Sequence, residues 1–569
     1  MQTFSGVGVA PGRVLGPVRQ MPKPVQEPHE NVNIPADVTV ESQGQRIKDA
    51  AKAVQAELRA RAATASGEGK EVLEATALMA ADPMLVKSAI RLLSPEAPGG
   101  ARTAERAIWE AAATVADSLK ALGGYMAERV ADVLDVRARI VSELRGLPAP
   151  GIPASDVPFI LAAEDLAPAD TATLDPAKVI ALITSSGGPQ SHTAILARAL
   201  GLPAIVAAPG VDEIRDGTEV YLDGAAGTIT VDPGEELRLA AKVWATQAST
   251  VAAFSGSNAM ADGFRVPLLA NVGTGADAVK AADAGAEGVG LLRTEFCFLD
   301  RDDEPAVEEQ IAAYGAVFAA FPGKKVVVRT LDAGADKPLP FLTNADEPNP
   351  ALGVRGYRTD LTSPGVLERQ LRAIAAAEAA NQAEVWVMAP MISTAEEAAH
   401  FAALCSTAGL KTPGVMVEVP SAALTAASVL REVSFASLGT NDLTQYAMAA
   451  DRQLGPLATL NDPWQPAVLQ LVKLTADGAA AASAGGAARP VGVCGEAAAD
   501  PALAVVLVGL GVATLSMSAR ALAAVSAVLA TVTVSQAQKL ATAALAAPSA
   551  SAARQAVRAQ LPILDELGL

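Results

Sequence analysis

The sequence predicts a multidomain α/β protein: an α/β domain carrying an inserted four-helix subdomain, then a linker helix, then a C-terminal (β/α)8 barrel. Three observations carry that expectation. From residue 263 onward, short runs of strand character alternate with helical stretches over about 300 residues, the length and rhythm of a TIM barrel. Residues 37–146 read instead as long helical patterns, with short β-rich runs on both sides of the block. The stretch 233–256 is rich in Ala, Glu, Lys and Gln and reads as a helix between the two halves.

Taken in order, residues 4–20 contain GVGVAPGRVLGPV, an alternating run punctuated by Gly and Pro, which predicts a strand with turns. Helices are expected over 41–63, 69–91, 101–122 and 125–145, separated by Gly67, by the Pro and Gly of 95–100, and by Gly123 and Gly124. Their spacing suits two antiparallel hairpins. After Pro148 and Pro150 the texture becomes mixed, with strands expected at 159–162, 179–183, 204–206, 219–222 and 228–231. The helical block is therefore an insertion into an α/β domain that residues 4–20 begin. This gives domain boundaries of 1–30 with 147–232 for the α/β domain, 31–146 for the insertion, 233–260 for the linker helix and 261–569 for the barrel. Barrel strands are expected at 266–270, 288–292, 325–329, 385–389, 415–417, 435–438, 491–493 and 513–516.

Composition narrows the function. With 51% apolar and 19% charged residues the chain describes globular cores, and charge, Gly or Pro interrupts every apolar run before the roughly 20 residues of a membrane span. The N-terminus lacks the basic start and apolar block of a signal peptide, and Cys297, Cys405 and Cys494 show neither metal spacing nor a disulfide framework. A cytoplasmic chain without membrane insertion is expected. The formal net charge of -18 argues against nucleic acid as a partner. It suits a basic protein partner and, equally, a solvated acidic surface with no partner.

Two regions carry chemistry. In Ser185 to Arg198, a glycine pair precedes Ser191 and His192 where a β-rich run gives way to a helical pattern. Ser191 as N-cap places His192 in the first helical turn, where free N–H groups and the helix dipole favour a phosphoryl group on the imidazole. A lone histidine near a turn is otherwise a capping or packing residue. In the barrel, Arg293, Arg329, Glu418, Asn441, Asp442 and Cys494 each fall at or just past the C-terminal end of a strand, where barrel enzymes build their sites. Arginine forks there, with Arg452, suit a small polyanionic substrate or pair with neighbouring carboxylates. Glu418 and Asp442 either hold magnesium with a phosphorylated ligand or answer those arginines. Cys494 is either a packing residue or a proton donor to an enolate carbon.

The string GGPQSHTAILARALGLPAIV resembles the phosphohistidine motif of enzyme I of the bacterial sugar phosphotransferase system, shared with pyruvate phosphate dikinase and phosphoenolpyruvate synthase. LLRTEFCFLDR, RTLDAGADK, MVEVPSA, GTNDLTQYAMAADR and VGVCGE resemble the phosphoenolpyruvate-site motifs of the same family, so the likeness spans the chain. The resemblance implies that His192 is the phosphorylated nucleophile, Cys494 the general acid, and Thr171 the residue orienting the histidine. It further implies that Arg293, Arg329, Asn441, Asp442 and Arg452 bind phosphoenolpyruvate, and that Glu418 and Asp442 hold Mg2+. The expected partners are the histidine phosphocarrier protein HPr, docked on the helical insertion, and a second copy joined through the barrel. Ala335 replaces the second glycine of the usual GGDK, and Thr76 stands where the family commonly has a histidine. The dikinase and synthase need an ATP-binding domain for which the chain leaves no room, and a magnesium-dependent pyruvate-enolate lyase would leave His192 without a task. A non-catalytic phosphocarrier-binding protein would have lost barrel residues, and none is missing.

Overall fold

The computed structural model describes residues 2–30, 38–64, 74, 76–122, 130–153, 155–166, 174–188, 191–248, 252–299, 301–333, 339–344, 347–452, 454–484 and 486–569. Two β-structures stand at its centre, an eight-stranded open sheet and a closed barrel.

The N-terminal run forms three strands rather than one: β1 (Gln2–Ser5), β2 (Val7–Ala10) and β3 (Arg13–Gln20). Gly6 and Gly12 mark the breaks, and a Cβ on Gly12, which holds a φ of 138°, would collide with the Pro203 ring. These strands are joined by β4 (Phe159–Ala163), β5 (Val179–Thr184), β6 (Ala204–Val206), β7 (Glu219–Asp223) and β8 (Thr228–Val231), in the order β1-β8-β7-β3-β4-β5-β6-β2. β3 pairs antiparallel with β7 and parallel with β4 in the middle of the sheet, while β1 and β2 form its two ends.

Between β3 and β4 lie α1 (Val40–Thr64), α2 (Pro83–Arg91), α3 (Ala104–Leu122) and α4 (Val130–Arg145). Residues from these helices, among them Ile47, Leu58, Ile108 and Ile140, enclose an apolar core of their own. Of the helix expected over 69–91, residues 69–73 and 75 lie outside the described residues; the described part is interrupted at Ala81 and Asp82, and the reason is local. Pro83 supplies no N–H, and the Asp82 carboxylate accepts from Met84 N at 2.7 Å, so a new helix is capped and begun there.

Helix α5 (His192–Leu200) follows β5, and α6 (Glu235–Ala248) follows β8 within the stretch expected as a linker. The barrel comprises β9 (Leu268–Val272), β10 (Val289–Arg293), β11 (Lys325–Arg329), β12 (Glu384–Ala389), β13 (Pro413–Val417), β14 (Phe435–Gly439), β15 (Val491–Cys494) and β16 (Thr514–Met517). Every neighbouring pair is parallel and β16 returns to β9, which closes the ring and leaves no sheet edge. Strand ends differ from the expected ones by at most two residues, and β11 has the expected bounds; Arg293 and Gly439, which follow apolar runs, still carry ladder pairing. No single described helix is long and apolar enough to cross a membrane.

Candidate active site

The first part of the site is the start of α5. Gly187 holds a φ of 83°, which a residue with a side chain rarely adopts, and Ser191 in extended conformation accepts from Ala194 N at 3.3 Å. His192 is thereby the first residue of the helix, as the sequence predicts, and Gly201 closes it in left-handed conformation. Thr193 anchors this turn: its Oγ1 donates to Asp165 Oδ1 at 2.7 Å and accepts from Leu166 N at 3.2 Å, tying α5 to the segment after β4. Thr171 and Ala335 lie outside the described residues. Thr76 is buried in the helical insertion.

The second part is the mouth of the barrel. A cavity of about 320 Å³ is lined by all seven barrel residues singled out from the sequence, Arg293, Arg329, Glu418, Asn441, Asp442, Arg452 and Cys494. Three further charged side chains of its lining, Glu295, Asp332 and Arg355, pair with these residues or with one another. Arg329 pairs through Nη2 with Glu295 at 3.0 Å and through Nη1 with Asp332 at 3.1 Å. Arg355 pairs with the same Asp332 at 2.9 Å and with Asp442 at 3.0 Å, while Arg452 stands 3.6 Å from Asp442. Asp442 thus does answer arginines, as one reading of the sequence allowed. Asp332 offered a signal, three residues beyond Arg329. Arg355 offered little, since it lies in the long connection between β11 and β12 rather than at a strand end.

Burial opposes ionisation of Asp332, but Arg355 and Arg329 outweigh it and hold the carboxyl well below its usual range. Glu418 is the opposite case. Burial, then the nearby Asp332 and Asp442, push its carboxyl up to about 8. One of its oxygens accepts from Met391 N at 2.7 Å, and Met391 holds a left-handed φ of 61°, a conformation with a typical strain of about 1–3 kcal/mol. Candidate ligand oxygens of Asp332, Glu418 and Asp442 lie within 4.8 Å of one another, all three residues buried. Three close carboxylates, one of them driven to hold a proton, form a donor set that fits a hard divalent cation.

The same mouth offers unanswered donors. Arg293 Nε and Arg329 Nε are buried without hydrogen-bond partners, which is costly unless an anion receives them. Burial pushes the Cys494 thiol up to about 11, so it keeps its proton at neutral pH, and its Sγ lies 3.4 Å from Leu438 O. The two parts meet. Ile195 and Arg198 of α5 line the barrel cavity, and a Cβ on Gly188 would lie 3.1 Å from Arg452 O.

Comparison with known proteins places this arrangement. Residues 249–534 match the model of the PEP-binding domain of PEP-utilising enzymes, residues 156–227 their mobile domain and residues 5–129 their N-terminal domain. The chain is 53% identical over 563 residues to the phosphoenolpyruvate-protein phosphotransferase of Streptomyces coelicolor, covering 98% of this chain and 99% of the relative. It is 41% identical to the Haloferax volcanii protein of the same name, over 83% of this chain and 85% of that one. A solution structure of an enzyme I protein is 27% identical, covers 42% of this chain and 96% of its own, and superposes with a TM-score of 0.33. With three family domains in sequence and a relative matched end to end, the chain belongs to the phosphoenolpyruvate-protein phosphotransferases, enzyme I of the sugar phosphotransferase system.

Proposed function

We propose that His192 takes the phosphoryl group of phosphoenolpyruvate and passes it to the histidine phosphocarrier protein HPr, with release of pyruvate. The observation that carries this reading is the approach of α5 to the barrel mouth, where Ile195 and Arg198 share one cavity with Arg293, Arg329 and Cys494. Arg293, Arg329, Asn441 and Arg452 grip the phosphate and carboxylate of the substrate. A nitrogen of His192 attacks phosphorus, the bond from phosphorus to the enol oxygen breaks, and its electron pair leaves with the enolate. The enolate carbon then takes the proton of Cys494, which burial keeps on sulfur, to give pyruvate. Magnesium, held by Glu418 and Asp442, would supply a counter-charge for the phosphate and enolate oxygens. Asp332 braces Arg329 and Arg355, so that two guanidinium forks face the cavity in fixed orientation.

In the second half-reaction phosphohistidine gives up its phosphoryl group to HPr, docked on the helical insertion. Leu78 and Met84, 64% and 77% exposed, offer that surface apolar contacts. We assign a homodimer through the barrel, whose exposed Leu352, Leu361 and Leu424 favour burial, and a cytoplasmic location, which suits three free cysteines. The test is labelling with phosphoenolpyruvate carrying radioactive phosphorus. The wild-type chain should acquire acid-labile label and His192→Ala none, with its fold unchanged; label persisting in the variant would overturn the assignment.

A further inference from the structure

Arg198 lies on α5, yet it pairs with a carboxylate in the barrel. Its Nη2 stands 3.2 Å from Glu496 Oε1, and its Nη1 donates to Val9 O at 3.4 Å within the α/β domain. Glu496 is the second residue after Cys494 and opens the short helix Glu496–Ala499. Burial opposes its ionisation, but Arg198 and a hydrogen bond with Asn441 hold its carboxyl below the usual value, and Arg293 adds to this. One carboxylate therefore touches both the helix that begins at His192 and a residue lining the phosphoenolpyruvate cavity. The pair is largely shielded, with side-chain exposures of 18% and 29%.

A second ion pair crosses the same boundary, Arg13 with Asp565 at 3.0 Å, and its chemistry differs. Asp565 is 73% exposed, and Arg13 keeps Asp223 at 3.0 Å whether or not the domains meet. Water screens that contact and an internal partner replaces it, so it contributes little. At the Arg198 pair, separation removes the cation closest to a mostly buried carboxylate, one oxygen of which has no hydrogen bond at all.

We infer that Arg198 is a positioning residue for phosphoryl transfer from phosphoenolpyruvate: its ion pair with Glu496 holds the first turns of α5 over the barrel mouth. The inference rests on the function proposed above. Transfer between His192 and HPr takes place away from the barrel and does not use the pair.

The full chain and its variants Arg198→Gln, Arg198→Lys, Glu496→Gln and the double Gln variant separate the possibilities. Labelling of His192 from phosphoenolpyruvate and exchange of label with phosphorylated HPr are followed in each. In Arg198→Gln, labelling at saturating phosphoenolpyruvate should slow about tenfold with KM little changed, while exchange with HPr stays at the wild-type rate. Arg198→Lys should recover part of the loss. The double variant should be no slower than the slower single one, because both remove the same contact. Glu496→Gln leaves the α/β domain unaltered and should show the same loss of labelling without loss of exchange. Equal losses in both half-reactions for both single variants, additive losses in the double one, or no loss at all would overturn the latch. A wild-type chain that takes no label would instead overturn the functional reading itself.

Discussion

At the scale of residues, the site is governed by how buried charges are answered. Asp332 has two arginines and stays ionised; Glu418, a few ångströms away, has two carboxylate neighbours and a backbone N–H, and holds a proton up to about 8. The raised pKa has a definite sign. Protonation of Glu418 stabilises the cation-free fold fully below the ordinary carboxyl value, and that stabilisation is lost as pH rises through about 8. A divalent cation bound by Glu418 competes with the same proton. Magnesium should therefore raise the melting temperature more at pH 8.5 than at pH 6, and Glu418→Gln should flatten that difference. The opposite order in thermal melts would remove Glu418 from the ligand set. The Glu418 environment was invisible in the sequence, because it is made by residues 27 positions before it, 24 after it and 86 before it: Met391, Asp442 and Asp332.

Helix α5 shows, at the scale of elements, how a short motif serves two purposes. Ser191 caps it, a bond of the kind that contributes about 1 kcal/mol, and the glycines before it let the backbone come close to the barrel. At Gly188 an added Cβ would meet a backbone carbonyl, Arg452 O, rather than a flexible side chain. Gly188→Val should hold α5 away from the mouth. A displacement near 1 Å at a reacting centre costs up to about 100-fold, so labelling by phosphoenolpyruvate should fall by that order while exchange with phosphorylated HPr continues. A variant that labels normally would show that this approach is not required. The glycine pair and the N-cap were legible from local pattern. That Thr193 and Asp165 pin the same turn was not, because nothing in the spacing of two residues 28 apart signals a hydrogen bond.

At the scale of the whole molecule, the proposed function asks His192 to serve both the barrel cavity and a protein partner, and one arrangement does not suit both. The α/β domain and the helical insertion have apolar cores separate from that of the barrel, and α6 joins the halves. We expect the α/β domain to swing about that segment between barrel and HPr. A fragment of residues 1–256 should fold and exchange phosphoryl groups with phosphorylated HPr, yet take none from phosphoenolpyruvate. A folded fragment that fails to exchange would count against both the docking surface and the swing.

The sequence by itself determined the alternation of strands and helices, the insertion of the helical block and the family, because these rest on local periodicity and contiguous motifs. It also placed six barrel residues at one mouth, since closing eight parallel strands brings their C-terminal ends together whatever the intervening lengths, while Arg452 came from the motif that follows one of them. Only the tertiary structure decided that Arg355 joins them, that Glu418 is the proton-holding carboxylate, and that Arg198 of one domain meets Glu496 of another. Those are contacts between loops and between domains, fixed by the packing of distant surfaces, and no spacing within a segment encodes them.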